Sequence, residues 1–397
     1  MCFPLVAPDG SLDRLREAGR RFAVRENYLV MAVPYLNANG ELRRGFIADP
    51  INFLTETEIG RPGNHQMYFV GEEPYDLSGT SLVSVLGGGA NQTQIFDGHS
   101  SSFYFSHKLQ TREGQNRDYI SVAEKFEQHY RMIAAPAVYR FPDAEGAFLD
   151  VDFGADMITP FCFPDAFSAH AELNGLNASL RPLTVGLIGL GATGAYVLDF
   201  VTKTPVKRVR MFDDDRYFVK NAYRSPGTST STDFKKYKVD LYAERYSTFR
   251  MDVVPHPERI TRENCGLVED CDFIFVCVDK AASRAAIAEI LLELGKPFID
   301  VGLGVNRLSG LLDGGLRATL VDEHTRDQVL ANATLPVGED ADDLYDKNVQ
   351  IAELNALNAA VAVIMFKMRY GYFLAADPIY NVLMSFNKLK LYTQVAT

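Results

Sequence analysis

The sequence predicts an α/β protein in which a doubly wound, mostly parallel sheet follows a smaller α+β domain. Beyond about residue 181, short aliphatic runs alternate with helix-like segments, which is the order that a parallel sheet requires. The first 141 residues instead run from a helix through extended segments to a second helix, and prolines and acidic residues accumulate between the two regions. We therefore predict an α+β domain at 1–141, a connecting segment at 142–180 and the parallel-sheet domain at 181–397.

The first domain is predicted to contain two helices and a group of antiparallel strands. Ser11 is a suitable N-cap for the first helix, whose apolar residues recur at helical spacing: Leu12, Leu15, Ala18 and Phe22. Strands are predicted at Tyr28–Leu36, Leu42–Ile47, Gln66–Val70 and Phe103–Ser106, with the first two forming a hairpin. The Gly/Ser/Asn-rich segment from Val85 to Ser102 indicates a surface loop. Asp118 is predicted to cap the second helix, which should end before Pro136.

The second domain is predicted from aliphatic runs short enough to be buried parallel strands. These runs are Leu183–Gly189, Val206–Phe212, Phe273–Val278 and Pro297–Val301. A helix is expected from Thr193 to Lys203, directly after the first strand. A long, Ala-rich helix is expected from Val349 to Tyr370, ending at Gly371.

The composition excludes several classes of protein. With 47% hydrophobic residues the chain can bury a sizeable core, and its net charge of −11 opposes non-specific binding to nucleic acid or anionic membranes. No run approaches the roughly 20 apolar residues of a membrane helix, and the first residues lack the pattern of a signal peptide. We therefore expect a cytoplasmic protein with no nucleic-acid or membrane partner.

A glycine-rich motif follows the first strand of the second domain. Residues 189–194 read Gly-Leu-Gly-Ala-Thr-Gly, a G-x-G-x-x-G at a strand-to-helix turn, although the same glycines would also suit a tight turn without a ligand. Such glycines let the backbone approach a phosphate at the positive end of a helix. The second strand ends at Asp213, where a carboxylate can accept hydrogen bonds from a ribose. The motif predicts nucleotide binding and leaves the nucleotide open.

The residues after Asp213 favour a nucleoside triphosphate. A nicotinamide site has no need for a second carboxylate, an amide and a guanidinium so close together, and Asp215, Asn221 and Arg224 supply them here. A triphosphate carries about four negative charges, which require cations as clamps and a carboxylate for magnesium. Lys238 is a further cation. Asp279 ends a later buried strand, which is where ligands of parallel sheets bind.

These residues resemble the ThiF/MoeB-type adenylating enzymes, which are related to the adenylation domain of ubiquitin-activating enzyme. The family pattern contains a glycine-rich loop, Asp-x-Asp, Asn-x-x-Arg, a Lys and an Asp ending a later strand. The matching residues are Gly189, Gly191, Gly194, Asp213, Asp215, Asn221, Arg224, Lys238 and, after Cys277, Asp279. The resemblance covers roughly residues 180–310 and implies a Rossmann-like fold, and the long C-terminal helix resembles the family's closing helix. The chain also resembles a bacterial subgroup of ThiF-type proteins with an uncharacterised N-terminal domain.

The resemblance implies a role for each matching residue. Asp213 and Asp215 would belong to the nucleotide site, with Asp213 on the ribose. Asn221, Arg224 and Lys238 would bind the triphosphate of ATP, and Asp279 would bind Mg²⁺. The catalytic residues would be Arg224, Lys238 and Asp279. An arginine ahead of the glycine loop often reaches the triphosphate in such dimers, and Arg140 and Arg181 are the candidates here.

The cysteines depart from the family pattern. Many relatives carry Cys-x-x-Cys zinc motifs or a thioester cysteine after the magnesium aspartate. This chain has neither, since its five cysteines are Cys2, Cys162, Cys265, Cys271 and Cys277. We therefore expect no zinc, no disulfide framework and no standard thioester step, with Cys277 in the core. His65, His99 and His107 show no ligand spacing and are expected to be solvated.

The predicted function is ATP-dependent adenylation of the C-terminal carboxylate of a ubiquitin-like protein or peptide by a homodimer. The first domain would select the substrate. Its element order is compatible with an inactive ubiquitin-conjugating-like fold, and a separate conjugating enzyme would be a suitable partner. Three alternatives remain: an enzyme that adenylates a peptide natural product, an NAD-binding oxidoreductase that uses the glycine loop and Asp213, and a non-catalytic scaffold.

Overall fold

The protein forms two compact units in this computed structural model, which describes residues 5–96, 98–146, 153, 159–335 and 349–396. The N-terminal unit comprises residues 1–158 and 163–175, and the C-terminal unit comprises residues 159–162 and 176–397. Cys2 lies outside the described residues, as does the part of the predicted connecting segment at 147–152 and 154–158.

The N-terminal unit contains ten strands and four helices among its described residues. Its strands are β1 (Phe22–Arg25), β2 (Tyr28–Leu36), β3 (Leu42–Pro50), β4 (Met67–Val70), β5 (Gly89–Ala90), β6 (Gln94–Phe96), β7 (His99–Ser100), β8 (Phe103–Phe105), β9 (Leu109–Gln110) and β10 (Asn116–Arg117). Its helices are α1 (Ser11–Glu17), α2 (Leu82–Val85), α3 (Val122–Arg140) and α4 (Ala166–His170), and α5 (Asn174–Asn177) follows across the boundary of the unit.

The main sheet of this unit is antiparallel, with the order β1-β2-β3-β4-β8-β5. Every residue of β2 is buried. Its alternate side chains enter two cores: Leu29 and Met31 join the helix residue Phe126, whereas Tyr28 and Val30 join Ile95 of β6. The predicted α+β fold and the β2–β3 hairpin are therefore confirmed.

Several sequence-based predictions for this unit are wrong. Gly10, not Ser11, is the N-cap of α1, and Phe22 lies in β1. The expected loop at 85–102 contains three short strands, because Ile95 and Phe96 are buried. Helix α3 begins after Ser121, not Asp118, and continues through Pro136 to Arg140. A proline inside a helix costs about 3 kcal/mol, and the burial of the α3 residues on either side offsets this cost.

Helix α3 carries a buried histidine, one of whose ring nitrogens has no partner among the described residues. His129 is fully buried, and its Nδ1 lies 2.8 Å from the carbonyl oxygen of Lys125. Because a carbonyl only accepts, Nδ1 carries the hydrogen, and Nε2 lacks a hydrogen-bond partner within the described ranges. Burial is the main cause that lowers the pKa of His129 to about 3; the hydrogen bond to the Lys125 carbonyl opposes this shift, and the charges of Lys125, His107 and His65 contribute to it.

Acid should therefore destabilise the N-terminal unit below neutral pH. An unfolded histidine has a pKa near 6.5 and gains a proton as the pH falls, whereas the folded ring stays neutral until about pH 3. The stabilisation is complete above pH 6.5 and is lost as the pH falls. We expect the wild type to lose about 2 kcal/mol more than His129→Leu between pH 7 and pH 5, measured by urea unfolding. Equal losses in the two proteins would contradict this account of His129.

The C-terminal unit contains an eight-stranded sheet. Its strands are β11 (Thr184–Ile188), β12 (Arg208–Phe212), β13 (Val253–His256), β14 (Phe273–Val276), β15 (Phe298–Leu308), β16 (Leu311–Val321), β17 (Ile379–Ser385) and β18 (Lys390–Val395). Its helices are α6 (Ala192–Thr202), α7 (Val219–Ala222), α8 (Lys238–Tyr246), α9 (Ala281–Glu293), α10 (Arg326–Ala331) and α11 (Ala352–Arg369), with 3₁₀ turns at Ser231–Asp233 and Arg262–Val268.

The strand order is β13-β12-β11-β14-β15-β16-β17-β18. The first five strands are parallel and the last three antiparallel. One face of the sheet packs against residues of α6, α8 and α11, and the other against residues of α9 and α10. The predicted doubly wound, mostly parallel sheet is therefore confirmed. The first residue of each predicted strand lies within two residues of the first residue of an observed strand.

Some details of this unit differ from the sequence-based predictions. The strand expected at Pro297–Val301 continues to Leu308 and forms a long hairpin with β16. The long helix begins at Ala352 rather than Val349. Across the described residues, no helix is long and apolar enough to cross a membrane.

Candidate active site

A cleft opens in the C-terminal unit at the carboxyl ends of the parallel strands. It lies where the strand order reverses, because β11 pairs with β12 on one side and with β14 on the other. This reversal point is where doubly wound sheets bind ligands. The cleft has a volume of about 310 Å³, near the lower end of the range for small-molecule sites. Its walls include Gly189, Gly191, Asp213, Asp215, Asn221, Arg224, Lys238 and Asp279. The sequence-predicted residues other than Gly194 therefore meet at one place.

The three glycines of the loop have different surroundings. Gly189 has a φ of +91°, and a Cβ there would lie 2.9 Å from the carbonyl oxygen of Cys277. A Cβ on Gly194 would lie 2.0 Å from the carbonyl oxygen of Gly189. A Cβ on Gly191 would meet nothing within 4 Å. Gly189 and Gly194 are therefore required for packing, whereas Gly191 faces open space in the cleft wall.

The loop leads into the N-terminus of α6, an 11-residue helix capped by Gly191. The first N–H groups of a helix lack partners within it and attract anions. The loop is held against β12, because the Leu190 N–H donates to Asp213 Oδ2 at 2.5 Å. The glycine loop and the strand-end carboxylate thus form one wall of the cleft.

Lys238 is buried between two carboxylates. Its Nζ lies 3.3 Å from both Asp213 oxygens and 2.7 Å from Asp215 Oδ2. Lys238 and Asp213 are 5% and 8% exposed, so water screens their attraction only weakly. The sequence favours this arrangement because Lys238 begins α8, where its N–H donates to the Asp215 carbonyl at 3.0 Å.

The two carboxyl groups have shifted pKa values. Burial raises the pKa of Asp213, and Lys238 and the N–H donors of Leu190 and Asp215 limit that rise. Burial alone would also raise the pKa of Asp215, but the ion pair with Lys238 and the charge of Arg259 lower it. Lys238 thus places one positive charge against two carboxylates at the cleft.

Asn221 and Arg224 lie on a short segment that buried side chains hold in place. Tyr217 is fully buried and its hydroxyl lies 3.0 Å from Ser225 Oγ, which donates to the Asn221 carbonyl at 2.7 Å. Asn221 Oδ1 accepts from the Phe218 N–H at 2.9 Å. Arg224 Nε is buried and has no hydrogen-bond partner among the residues that the structure describes. Arg224 also lines the cleft, where a guanidinium group is suited to an anionic ligand.

Asp279 is exposed in the turn between β14 and α9. Magnesium typically binds one or two carboxylates together with substrate phosphates, so a single exposed carboxylate beside a wall that contains Arg224 and Lys238 fits this ion. Within the described part of the chain, the group that brings three potential metal ligands within 4.8 Å is Asp213, Asp214 and Asp215. Asp213 is already bonded to Lys238 and two N–H groups, which leaves Asp279 as the less committed carboxylate.

The cleft includes residues that the sequence analysis missed. Arg216, Lys220 and Arg259 add positive charge, and Arg259 pairs with Asp214 at 3.2 Å on the surface. Arg284 is 2% exposed and donates from its Nε to Asp300 Oδ1 at 3.1 Å. Arg284 lies in α9, which begins two residues after Asp279. That closeness in sequence to Asp279 is a signal that could have identified Arg284 as a cleft residue.

Other predicted candidates lie elsewhere. Arg140, in the N-terminal unit, donates to the Gly40 carbonyl at 3.0 Å, and Arg181 precedes β11; neither is among the described residues that line the cleft. Cys162 is exposed, and its thiol donates to the Ser247 carbonyl at 3.7 Å. The three histidines that were expected to be solvated, His65, His99 and His107, are half-buried instead. His65 lies 2.9 Å from Ser106 Oγ, and the ring of His99 stacks on Phe96.

Two segments of the chain match known families. Residues 10–166 match a domain of unknown function, DUF6791, and residues 169–310 match the ThiF family. Ubiquitin-like modifier-activating enzyme 5 of Dictyostelium discoideum is 30% identical over 150 residues, covering 33% of this chain and 38% of that protein. The Xenopus laevis protein of the same name is 24% identical over 144 residues, covering 33% and 36%. The chain thus spans less than two fifths of the length of these relatives.

A solved structure shows a similar but distant chain. E. coli MccB, crystallised with MccA-N7isoASN, is 16% identical with a TM-score of 0.44, covering 57% of this chain and 69% of that one. The sequence matches confirm the resemblance predicted from the glycine loop and the charged residues that follow it. Residues 169–310 thus match the ThiF family, and the match to the domain of unknown function DUF6791 precedes them.

Proposed function

We propose that this protein is an ATP-dependent adenylyltransferase that activates the C-terminal carboxylate of a ubiquitin-like protein or a peptide. One observation carries the proposal: a glycine-rich loop at a helix N-terminus, a strand-end carboxylate, three polar or cationic groups and an exposed aspartate line one cleft. The matching relatives bear the name of ubiquitin-like modifier-activating enzymes, which supports the substrate class.

The residues of the cleft divide into a nucleoside end and a phosphate end. Asp213 would accept a hydrogen bond from a ribose hydroxyl in exchange for one of its two 3.3 Å contacts with Lys238 Nζ, because its other two acceptor positions are used by N–H groups. Arg224, through its guanidinium group, and Asn221, through its amide nitrogen, would bind the triphosphate, since both residues line the cleft. Lys238 would supply a further positive charge from its site between the carboxylates.

The reaction requires positioning and charge stabilisation more than proton transfer. A carboxylate oxygen of the substrate attacks the α-phosphorus, the bond from that phosphorus to the β-bridging oxygen breaks, and pyrophosphate leaves. No general base is needed, because the nucleophile is already an anion at neutral pH. Arg224 and Lys238 would stabilise the departing pyrophosphate, and Asp279 would hold Mg²⁺, which supplies charge neutralisation at the phosphates.

Calorimetric titration distinguishes this function from nicotinamide chemistry. With magnesium present we expect the full chain to bind ATP and not NAD, because the cations of the cleft suit a triphosphate. Exchange of labelled pyrophosphate into ATP, with candidate carboxylate partners added one at a time, then tests adenylation. Tight NAD binding without ATP binding would contradict the proposal.

We expect no thioester intermediate on Cys265, Cys271 or Cys277 of the C-terminal unit. Burial raises the pKa of the Cys271 thiol to about 12 and raises that of Cys277 as well, so neither forms the reactive thiolate at neutral pH. Non-reducing electrophoresis and mass spectrometry after reaction with ATP and a partner would detect an adduct. A reducing-agent-sensitive adduct that is lost in Cys162→Ser would place the step on the exposed thiol. An adduct that survives replacement of both Cys2 and Cys162 would contradict the prediction.

The assembly is also a proposal. We propose that the protein is a cytoplasmic homodimer, that the N-terminal unit selects the substrate, and that a conjugating enzyme receives the product. Light scattering of the full chain tests the dimer, and a monomer at micromolar concentration would contradict it.

A further inference from the structure

Helix α11 contains two asparagines that are both completely buried, Asn355 and Asn358. The remainder of its buried face is apolar, with Ala359, Ala362 and Val363 in the same core. A buried amide is costly unless its polar atoms are hydrogen-bonded. The contacts of these two side chains therefore indicate why polar residues lie in this helix.

Asn355 is bonded to the glycine loop. Its Nδ2 donates to the Ile351 carbonyl at 2.7 Å, and its Oδ1 lies 2.6 Å from Thr193 Oγ1. Because the Ile351 carbonyl can only accept, the amide orientation is determined and the Thr193 hydroxyl must donate to Oδ1. Thr193 lines the cleft in the first turn of α6. The hydrogen bond thus connects α11 to the wall that would contact the phosphates.

Asn358 is bonded to the other wall. Its Nδ2 donates to the Gly302 carbonyl at 2.8 Å, and Gly302 lies between Val301 and Leu303, which both line the cleft. Strand β14 pairs with β15 only as far as Asp300, so β15 continues past this point without that neighbour. Asn358 supplies a donor there, while its own Oδ1 is buried and unbonded in the part of the chain that the structure describes.

We propose that Asn355 and Asn358 are positioning residues that fix the distance between the glycine loop and β15, and thereby set the affinity for ATP. The two residues are three apart and lie on one face of α11, so a single helix holds both walls. This inference rests on the proposed function, because it assigns ATP as the ligand that the spacing serves.

The test measures the dissociation constant of magnesium–ATP by calorimetry in the full chain. Asn355→Leu and Thr193→Val each remove the same hydrogen bond, and we expect each to weaken ATP binding about tenfold, with the double variant little weaker than either one. Asn358→Leu should weaken binding similarly. Thr193→Ser keeps the hydroxyl and should bind as the wild type does.

Val363→Ala is the matched control, since it is buried in the same helix and contacts the core rather than the cleft wall. It should lower the melting temperature without changing ATP affinity. Wild-type affinity in both Asn355→Leu and Asn358→Leu would overturn the inference. So would weak binding in Thr193→Val alone, because Thr193 would then act on the ligand directly.

A second readout separates this inference from the proposed function. Hydrogen exchange of the backbone amides at 190–194, measured without nucleotide, should be faster in Asn355→Leu than in the wild type or Val363→Ala. Faster exchange in Asn355→Leu, together with a wild type that binds no ATP, would support the positioning role and contradict the proposed function. Unchanged exchange in Asn355→Leu would contradict the positioning role, whatever the wild type binds.

Discussion

Replacing Asp279 by alanine is expected to reduce ATP–pyrophosphate exchange about a hundredfold or more while leaving the fold intact. The side chain is exposed in the turn after β14, so its removal creates no cavity and breaks no buried ion pair. The loss would come from the charge that the carboxylate contributes to holding magnesium at the phosphates. Exchange rates and melting temperature should be measured on the same preparations.

Asp240→Ala is the matched control for this prediction. Asp240 is also an exposed aspartate, in the first turn of α8, and does not line the cleft. It should leave the exchange rate unchanged. A folded Asp279→Ala protein with near-normal exchange would show that Asp279 is not the magnesium ligand.

Replacing Lys238 by methionine should damage both stability and activity. Lys238 is the buried cation beside Asp213, and removing one partner of a buried pair leaves an uncompensated charge that costs about 3 kcal/mol or more. Exchange should fall about a hundredfold, because a positive charge at the phosphate end is lost as well. Urea unfolding measures the first effect and pyrophosphate exchange the second.

The two effects of Lys238→Met can be separated with a second substitution. Adding Asp213→Asn removes the buried carboxylate charge that Lys238 no longer compensates. The double variant should recover much of the free energy of unfolding without recovering pyrophosphate exchange. Lys236→Met is the control, since Lys236 pairs with Glu244 on the surface and should matter little to either measurement. Recovery of exchange in the double variant would show that Lys238 acts only by stabilising the fold.

Four of the five parallel strands could be predicted from sequence because each contains a short, largely buried apolar run. Thr184–Ile188 and Phe273–Val276 are completely buried, so their sequences contain almost no polar residue that would indicate a loop. The edge strands were missed for the opposite reason. Every residue of Lys390–Val395 is exposed, and exposed strands lack the hydrophobic pattern on which such a prediction depends.

The candidate site was predictable where its residues are close in sequence. Asn221 and Arg224 follow Asp213 at short, recognisable spacing, and a single segment brings them together. The hydrogen bond from Thr193 to Asn355 joins residues 162 positions apart. No local sequence pattern predicts such a hydrogen bond, because the bond depends on how α11 packs beside α6 on the face of the sheet.

The different surroundings of the loop glycines bear on how this domain could vary among related sequences. Positions 189 and 194 are closed to any side chain by backbone atoms, so they would remain glycine even in a copy that had lost its ligand. Position 191 has room for a methyl group and a φ of −68°, which alanine adopts readily. Only a ligand that approaches the backbone there would keep it as glycine. A relative with a side chain at 191 and glycine at both 189 and 194 would therefore be expected to retain the fold and to have given up the nucleotide.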